Sequence, residues 1–458
     1  MAGWYFEKWK IKMKIKKLSL IFSISTVAII TLFTSLNVNA LPSFTRQTGA
    51  SCSQCHTQSF GPNLTPFGRN FKLGGYTMGG GKESNIPAVS GLVSGSFTNT
   101  NKDQTDVPAG YNKNNNFTFD SVDAFYAGKI YGKVGAFAQL NYDGVSKKAQ
   151  MDNTDIRFAD NLDVMDTPVT YGISLNNNPT VQDLWNTTAW GFPYNGSALQ
   201  PGAGTSSMID GMLSAQVGGA TAYTMINDLL YLEAGGYTSL SNGIQRGIGI
   251  PTGDRLEIDG AAPYWRMALQ KDWKGHFFAV GHYGMMANVF PERNRSAGSD
   301  RYTDIAFDAT YQYMANPKHI FEVKTTYIYE DQKLSAWNVN NGLNPNAKSY
   351  LNTFKFNTSY TFDQTYGITF GYNNVKGSNV STLETADDGT TSYSFGRPNS
   401  DYYTAELVYV PFGKSGSMLA PWVNLRTSLQ YIGFAKVNGV TQQSSDNNTF
   451  MLNGMLAF

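Results

Sequence analysis

Residues 422–434 read WVNLRTSLQYIGF, and the alternation in that stretch decides the fold. In an extended chain Val423, Leu425, Thr427, Leu429 and Tyr431 fall on one face. Trp422, Asn424, Arg426, Ser428 and Gln430 fall on the other. A period of two with one apolar and one polar face is the mark of a strand. The pattern recurs upstream. Ile305, Phe307, Ala309 and Tyr311 oppose Asp304, Asp308, Thr310 and Gln312. Phe321, Val323, Tyr327 and Tyr329 oppose Glu322, Lys324, Thr326 and Glu330. Phe354, Phe356, Tyr360 and Phe362 oppose Lys355, Asn357, Ser359 and Thr361.

A soluble sandwich would alternate in the same way, but three features favour a membrane barrel. The strands are long enough for a tilted bilayer crossing, and their aromatic residues gather towards the strand ends, as in interfacial girdles. Connections alternate between short ones, near Tyr131-Gly132, Lys274-Gly275, Ala315-Asn316-Pro317 and Asp363-Gln364, and long ones. The long ones are Thr100–Asn116, Pro179–Ile209, Leu240–Ala262, Val289–Asp300, Lys333–Ser349 and Lys376–Ser400. The reading is all-β: a transmembrane outer-membrane β-barrel over residues 87–458. Its sixteen strands start near residues 88, 117, 132, 153, 167, 210, 229, 263, 276, 302, 319, 349, 365, 401, 421 and 448. The last, through Phe450, Leu452, Gly454 and Leu456, alternates to Phe458, an aromatic of the kind that sorts outer-membrane proteins.

Composition agrees. In 458 residues, aromatics make up 14% and charged residues only 15%, an unusual mixture for a soluble enzyme. A net charge of +1 implies no polyanionic partner such as nucleic acid. Residues 1–40 read as a signal peptide. Lys12, Lys14, Lys16 and Lys17 precede an apolar run from Leu18 to Leu36. Val38-Asn39-Ala40 is a small-x-small cleavage site, which puts the mature start at Leu41; Met13 is a candidate translation start.

Between signal and barrel, residues 41–86 carry Cys52-Ser53-Gln54-Cys55-His56. Cys-x-x-Cys-His is the attachment signal of a c-type haem. The two thiols add to the vinyl groups, and the adjacent His supplies the iron's axial nitrogen. These are the only two cysteines in the chain. A zinc site would need more soft ligands, and a redox dithiol would sit in a βαβ pattern that is missing. The cofactor expected is thus one covalent haem c on Cys52, Cys55 and His56. Met78 is the local candidate for the distal ligand; the alternatives are a ligand from elsewhere in the chain and an open sixth site. Arg46, Arg69 and Lys72 are candidates for propionate contacts, and Phe44, Phe60, Leu64, Phe67, Phe71 and Tyr76 for packing on the porphyrin. A segment this short cannot bury much core by itself, so it is expected to plug the barrel lumen.

Other features are weighed against plain structural roles. His276 and His282 share a strand face and are either lumen-facing ligands or interfacial residues; His319 is the remaining histidine. The loop Pro179–Ile209, with Trp185, Trp190, Phe192, Pro193 and Tyr194, either folds into the lumen or stays outside. Asp103, Asp106, Asp387 and Asp388 in outer loops are oxygen ligands for Fe²⁺ or solvated surface charge.

Pro42-Ser43-Phe44-Thr45-Arg46-Gln47-Thr48-Gly49, the Cys52–His56 motif, Leu64-Thr65-Pro66-Phe67-Gly68-Arg69, Phe71-Lys72-Leu73 and Gly75-Tyr76 together resemble the fused outer-membrane monohaem cytochrome–porins of iron-oxidising bacteria. The stretch Gln58–Asn63 departs from that family's shorter spacing. The resemblance implies that extracellular Fe(II), or a related reduced donor, gives an electron to the haem. A periplasmic c-type cytochrome then receives it, an iron(II):cytochrome c oxidoreductase activity in the outer membrane. The alternatives are a haem-bearing porin with an open channel, and a conduit carrying electrons outward to extracellular acceptors.

Overall fold

The computed structural model describes residues 42–458 apart from 81–86, 106, 189–190, 203–204, 253–255, 341–343, 345, 379–381, 386–390, 395–397 and 420–421. The signal peptide, Asp106, Trp190, Asp387 and Asp388 lie outside the described residues.

Sixteen strands form the wall. They are β1 (Val89–Thr100), β2 (Asn116–Tyr131), β3 (Val134–Asp143), β4 (Lys148–Val164), β5 (Thr167–Asn176), β6 (Val217–Ile226), β7 (Leu230–Ser239) and β8 (Ala262–Trp273), followed by β9 (His276–Phe290), β10 (Asp300–Asn316), β11 (His319–Lys333), β12 (Lys348–Phe362), β13 (Tyr366–Gly377), β14 (Ser400–Tyr409), β15 (Asn424–Lys436) and β16 (Thr449–Ala457). Each pairs antiparallel with the next, and β16 pairs with β1 from Leu92↔Ala457 to Thr100↔Thr449, closing the ring. Closure removes the free edge, whose unpaired amides could find no partner in lipid. Gly91 and Phe458 exchange backbone hydrogen bonds across the seam. No described helix is long and apolar enough to cross a membrane.

The faces are inverted relative to a soluble protein. On β10, Phe307 is 54% exposed and Asp308 6%; on β15, Leu429 is 41% exposed and Gln430 1%. Buried polar and exposed apolar side chains mark a wall that faces lipid outward. Exposed Trp273, Tyr366, Tyr409 and Trp422 ring the short-turn end.

Two connections break the expected alternation. Residues 144–147 on the long-loop side are a brief turn, and 410–423 on the short-turn side are long. The sixth strand starts at Val217, not near residue 210. Apolar Met208, Ile209, Met212 and Leu213 are buried by a loop folded into the lumen, not by strand pairing.

Three short helices precede the wall: α1 (Pro42–Thr48), α2 (Cys52–Cys55) and α3 (Pro66–Leu73). They are bonded to wall strands on all sides of the ring. Ser43 accepts from Ser90 of β1, Tyr76 donates to Asp155 of β4 at 2.7 Å, and Tyr223 of β6 donates to the Leu73 carbonyl at 2.8 Å. Arg69 donates to Gln312 of β10 at 2.9 Å, Gln58 to Thr369 of β13 at 3.0 Å, and Asn424 of β15 to the Ser59 carbonyl at 2.8 Å. The wall yields at Gly135 of β3, where a Cβ would stand 2.3 Å from the Gly75 carbonyl.

Candidate functional site

The local fold around Cys52–His56 is set by small residues and caps. Ser51 and Gln54 form a capping box on α2. Thr65 caps α3 by accepting from the Gly68 amide, and Pro66 occupies its first turn. Gly68 lets the two helices touch, since a Cβ there would meet the Cys55 carbonyl at 2.4 Å. The long turn 410–423 supports α2 from the short-turn side, with the Ser53 amide donating to the Gly413 carbonyl at 3.0 Å.

Cys52, Cys55 and His56 all line one cavity of about 650 Å³ between the segment and the wall, within the usual range for small-molecule and cofactor sites. Phe44, Phe60, Leu64, Phe71 and Tyr76 line it from the segment. Leu92, Phe125, Phe137, Met455 and Ala457 complete it from β1, β2, β3 and β16. Phe44 stacks on Tyr76 and meets Phe71 edge-on. Along the wall the cavity runs towards the long-loop end past Asp120, Asp123, Asp143 and Asp152.

Both cysteines are unpaired and partly open to the cavity. Burial raises the Cys52 thiol, whose sulfur is reached by the Asn424 and Thr45 side chains. Burial and the neighbouring Cys52 push Cys55 up to about 12. A redox dithiol needs the opposite shift, towards thiolate. Among the described residues there is no group of three or more His, Cys, Asp or Glu able to hold a metal ion, so a zinc site lacks its further ligands. Burial brings His56 down to about 4, with the Asn63 backbone beside the ring offsetting this in part. Its Nδ1 is buried and makes no well-formed hydrogen bond. Two thiols outside any disulfide, a histidine beside them and an aromatic-lined cavity fit a covalently held haem.

Four residues singled out from the sequence are not at the cavity. Met78 is exposed and lies off it; its carbonyl accepts from Gln47 at 2.9 Å. Arg46 binds the carbonyls of Pro87 and Val89, outside the cavity, where the chain enters β1. Arg69 is buried, with its guanidinium 3.5 Å over the Phe277 ring, and lines a separate recess with Asn227, Asp228 and Asp272. It is spent on fastening the segment to the wall. Lys72 does line the cavity, but its ammonium donates to Val181 O, Asp183 O and Asn186 Oδ1, each at 2.7 Å. Phe67, proposed as haem packing, is partly exposed and outside the lining.

The loop between β5 and β6 folds inward. Asp183 pairs with Arg266, which also binds Asp308 at 2.7 Å. Lys324 donates to the carbonyls of Trp185 and Asn186. The amides of Met208 and Ile209 donate to Glu330 and Asp304 at 2.7 Å. Tyr194 accepts from Asn63 of the segment. His276 and His282 lie on the outer face of β9, opposite inward Phe277, Ala279 and Tyr283, so the lumen-facing alternative does not hold. His276 stacks on Trp273, His282 bonds Trp265, and His319 meets Tyr360.

No protein-family model matches the chain, and no curated protein does. Among solved structures, the chain is similar to OmpF of Salmonella typhi, in a complex with daunomycin, at 13% identity and a TM-score of 0.44, covering 81% of this chain and 97% of that one. It is similar to the outer-membrane channel DcaP of Acinetobacter baumannii at 9% identity and a TM-score of 0.43, covering 81% and 96%. An anion-selective porin from Comamonas acidovorans matches at 12% identity and a TM-score of 0.41, covering 81% and 98%.

Proposed function

We propose that this chain is an outer-membrane electron-transfer protein carrying one covalent c-type haem, which takes electrons from extracellular Fe(II) and delivers them to a periplasmic cytochrome. The observation that carries this reading is the shared cavity. Cys52, Cys55 and His56 face it from a segment enclosed by a lipid-facing barrel. When bound, the haem supplies reversible one-electron chemistry. Cys52 and Cys55 would hold its edge through thioether bonds, and His56 would supply a nitrogen to the iron. Phe44, Phe60, Leu92, Phe125 and Phe137, which line the cavity, would pack against the ring and exclude water from it. Asp120, Asp123, Asp143 and Asp152 present oxygen donors on the long-loop side, where an arriving Fe²⁺ meets a cation-attracting wall. On the other side, α2 rests on the turn 410–423, the face nearest a periplasmic acceptor.

The test is direct. Protein purified from outer membranes in detergent is denatured and assayed for haem that stays with the polypeptide. The native oxidised protein is then mixed with Fe²⁺ while haem absorbance is followed. Retained haem and its reduction by Fe²⁺ are expected. A chain without covalent haem overturns the reading; haem that Fe²⁺ never reduces overturns the choice of donor.

A further inference from the structure

We propose that the distal ligand to the haem iron is Met455, supplied by the last strand of the barrel. The inference rests on the haem-attachment reading and deepens it. Among the described residues lining the cavity, His56 is the only imidazole and Met455 the only thioether. The other strong donors there are engaged. Lys72 gives its three protons to three acceptors, Tyr76 bonds Asp155, and Tyr194 bonds Asn63.

Strand geometry places Met455 near the attachment helix. It points inward with Met451, Asn453 and Ala457, while Phe450 and Leu452 are exposed to the outside. Its cross-strand partners are Ser94 on β1 and Arg426 on β15, and both line the cavity. Ala457, the next inward position, pairs with Asn424, whose side chain reaches the Cys52 sulfur. Successive inward positions are about 7 Å apart, so the thioether stands one step along the wall from the residue that touches the first haem-attaching cysteine. Leu92, Phe125 and Ala457 form the apolar cluster on which Met455 packs. An unbranched, polarizable thioether that packs on this apolar cluster while facing the cavity suits iron ligation. With His on the other face, Met raises the potential. Such a bond would tie the haem segment to the barrel seam, joining the two parts of the chain through the cofactor.

The experiment uses the full-length protein purified from outer membranes, as wild type, Met455→Leu, Met455→His and Met78→Leu. Each is checked first for haem retained after denaturation; a wild type without it would fail the attachment reading and not the ligand assignment alone. In haem-bearing wild type, the ferric form is expected to show the far-red sulfur-to-iron charge-transfer band. Met455→Leu loses the band and its ferrous form binds carbon monoxide. Met455→His stays low-spin with a lower midpoint potential, and Met78→Leu keeps the band. Haem-bearing wild type without the band, or Met455→Leu that retains it, overturns the proposal. Should Met455→Leu fail to fold, Met455→His decides: an unchanged band and potential there are equally fatal.

Discussion

At the scale of single residues, the segment is held by buried charge used as a fastener. Lys72 spends its ammonium on three acceptors of the inward loop. Replacing it with Met removes three charge-assisted hydrogen bonds. A cost of about 3 kcal/mol is expected, read as a lower denaturation midpoint in detergent. Burial, and then Arg157, push Lys72 down to about 7 from 10.5. Between those values the unfolded chain binds the extra proton, so this residue's contribution to stability rises with pH through that window. Melting followed at neutral and at alkaline pH should show that rise in wild type and lose it in Lys72→Met. Legibility at this scale divides by distance along the chain. The Cys52–His56 motif is local, and the cavity forms around it. Met78 was the natural ligand to name from sequence because it is the nearest downstream Met, yet it is exposed. Met455 lies almost 400 residues further on, and no spacing rule connects it to His56. Arg69 and Arg46 look alike in sequence as free cations; only the fold assigns one to Gln312 and the other to carbonyls of the β1 entry.

At the scale of elements, alternation revealed the strands and their pairs of faces, because on most of them one face is polar. It could not say which face of β9 points inward. Phe277, Ala279 and Tyr283 on one side and Phe278 and Val280 on the other are both apolar, since the inner face packs on buried loop and segment residues in place of water. Alternation therefore puts His276 and His282 on one face without giving its direction. The same inward loop explains the late start of β6. Its anchor is Arg266, bridging Asp183 of the loop and Asp308 of the wall. Arg266→Met strands two buried carboxylates, and a loss of about 3–5 kcal/mol is expected. Limited proteolysis should then cut within residues 177–216, which wild type protects; equal protection in both would show that the loop is held by its apolar contacts alone.

At the scale of the molecule, the N-terminal segment and the β5–β6 loop are both bonded to inward side chains of the wall, and on the proposed reading they fill the lumen that an open sixteen-stranded porin leaves to water. In a planar bilayer the protein is expected to conduct far less than an open porin, and a variant lacking residues 41–86 to conduct more. Porin-like conductance in the intact chain would favour the open-channel alternative. On the proposed function, electrons cross the barrel by way of the Cys52–His56 site. The most direct measurement reconstitutes the haem-bearing protein in liposomes with an oxidised cytochrome c inside, then adds Fe²⁺ outside. In vesicles holding the protein with its long loops outward, the enclosed cytochrome should become reduced, and the Cys52→Ala/Cys55→Ala variant should leave it oxidised. An enclosed cytochrome that stays oxidised behind a haem-bearing wild-type barrel would contradict the account.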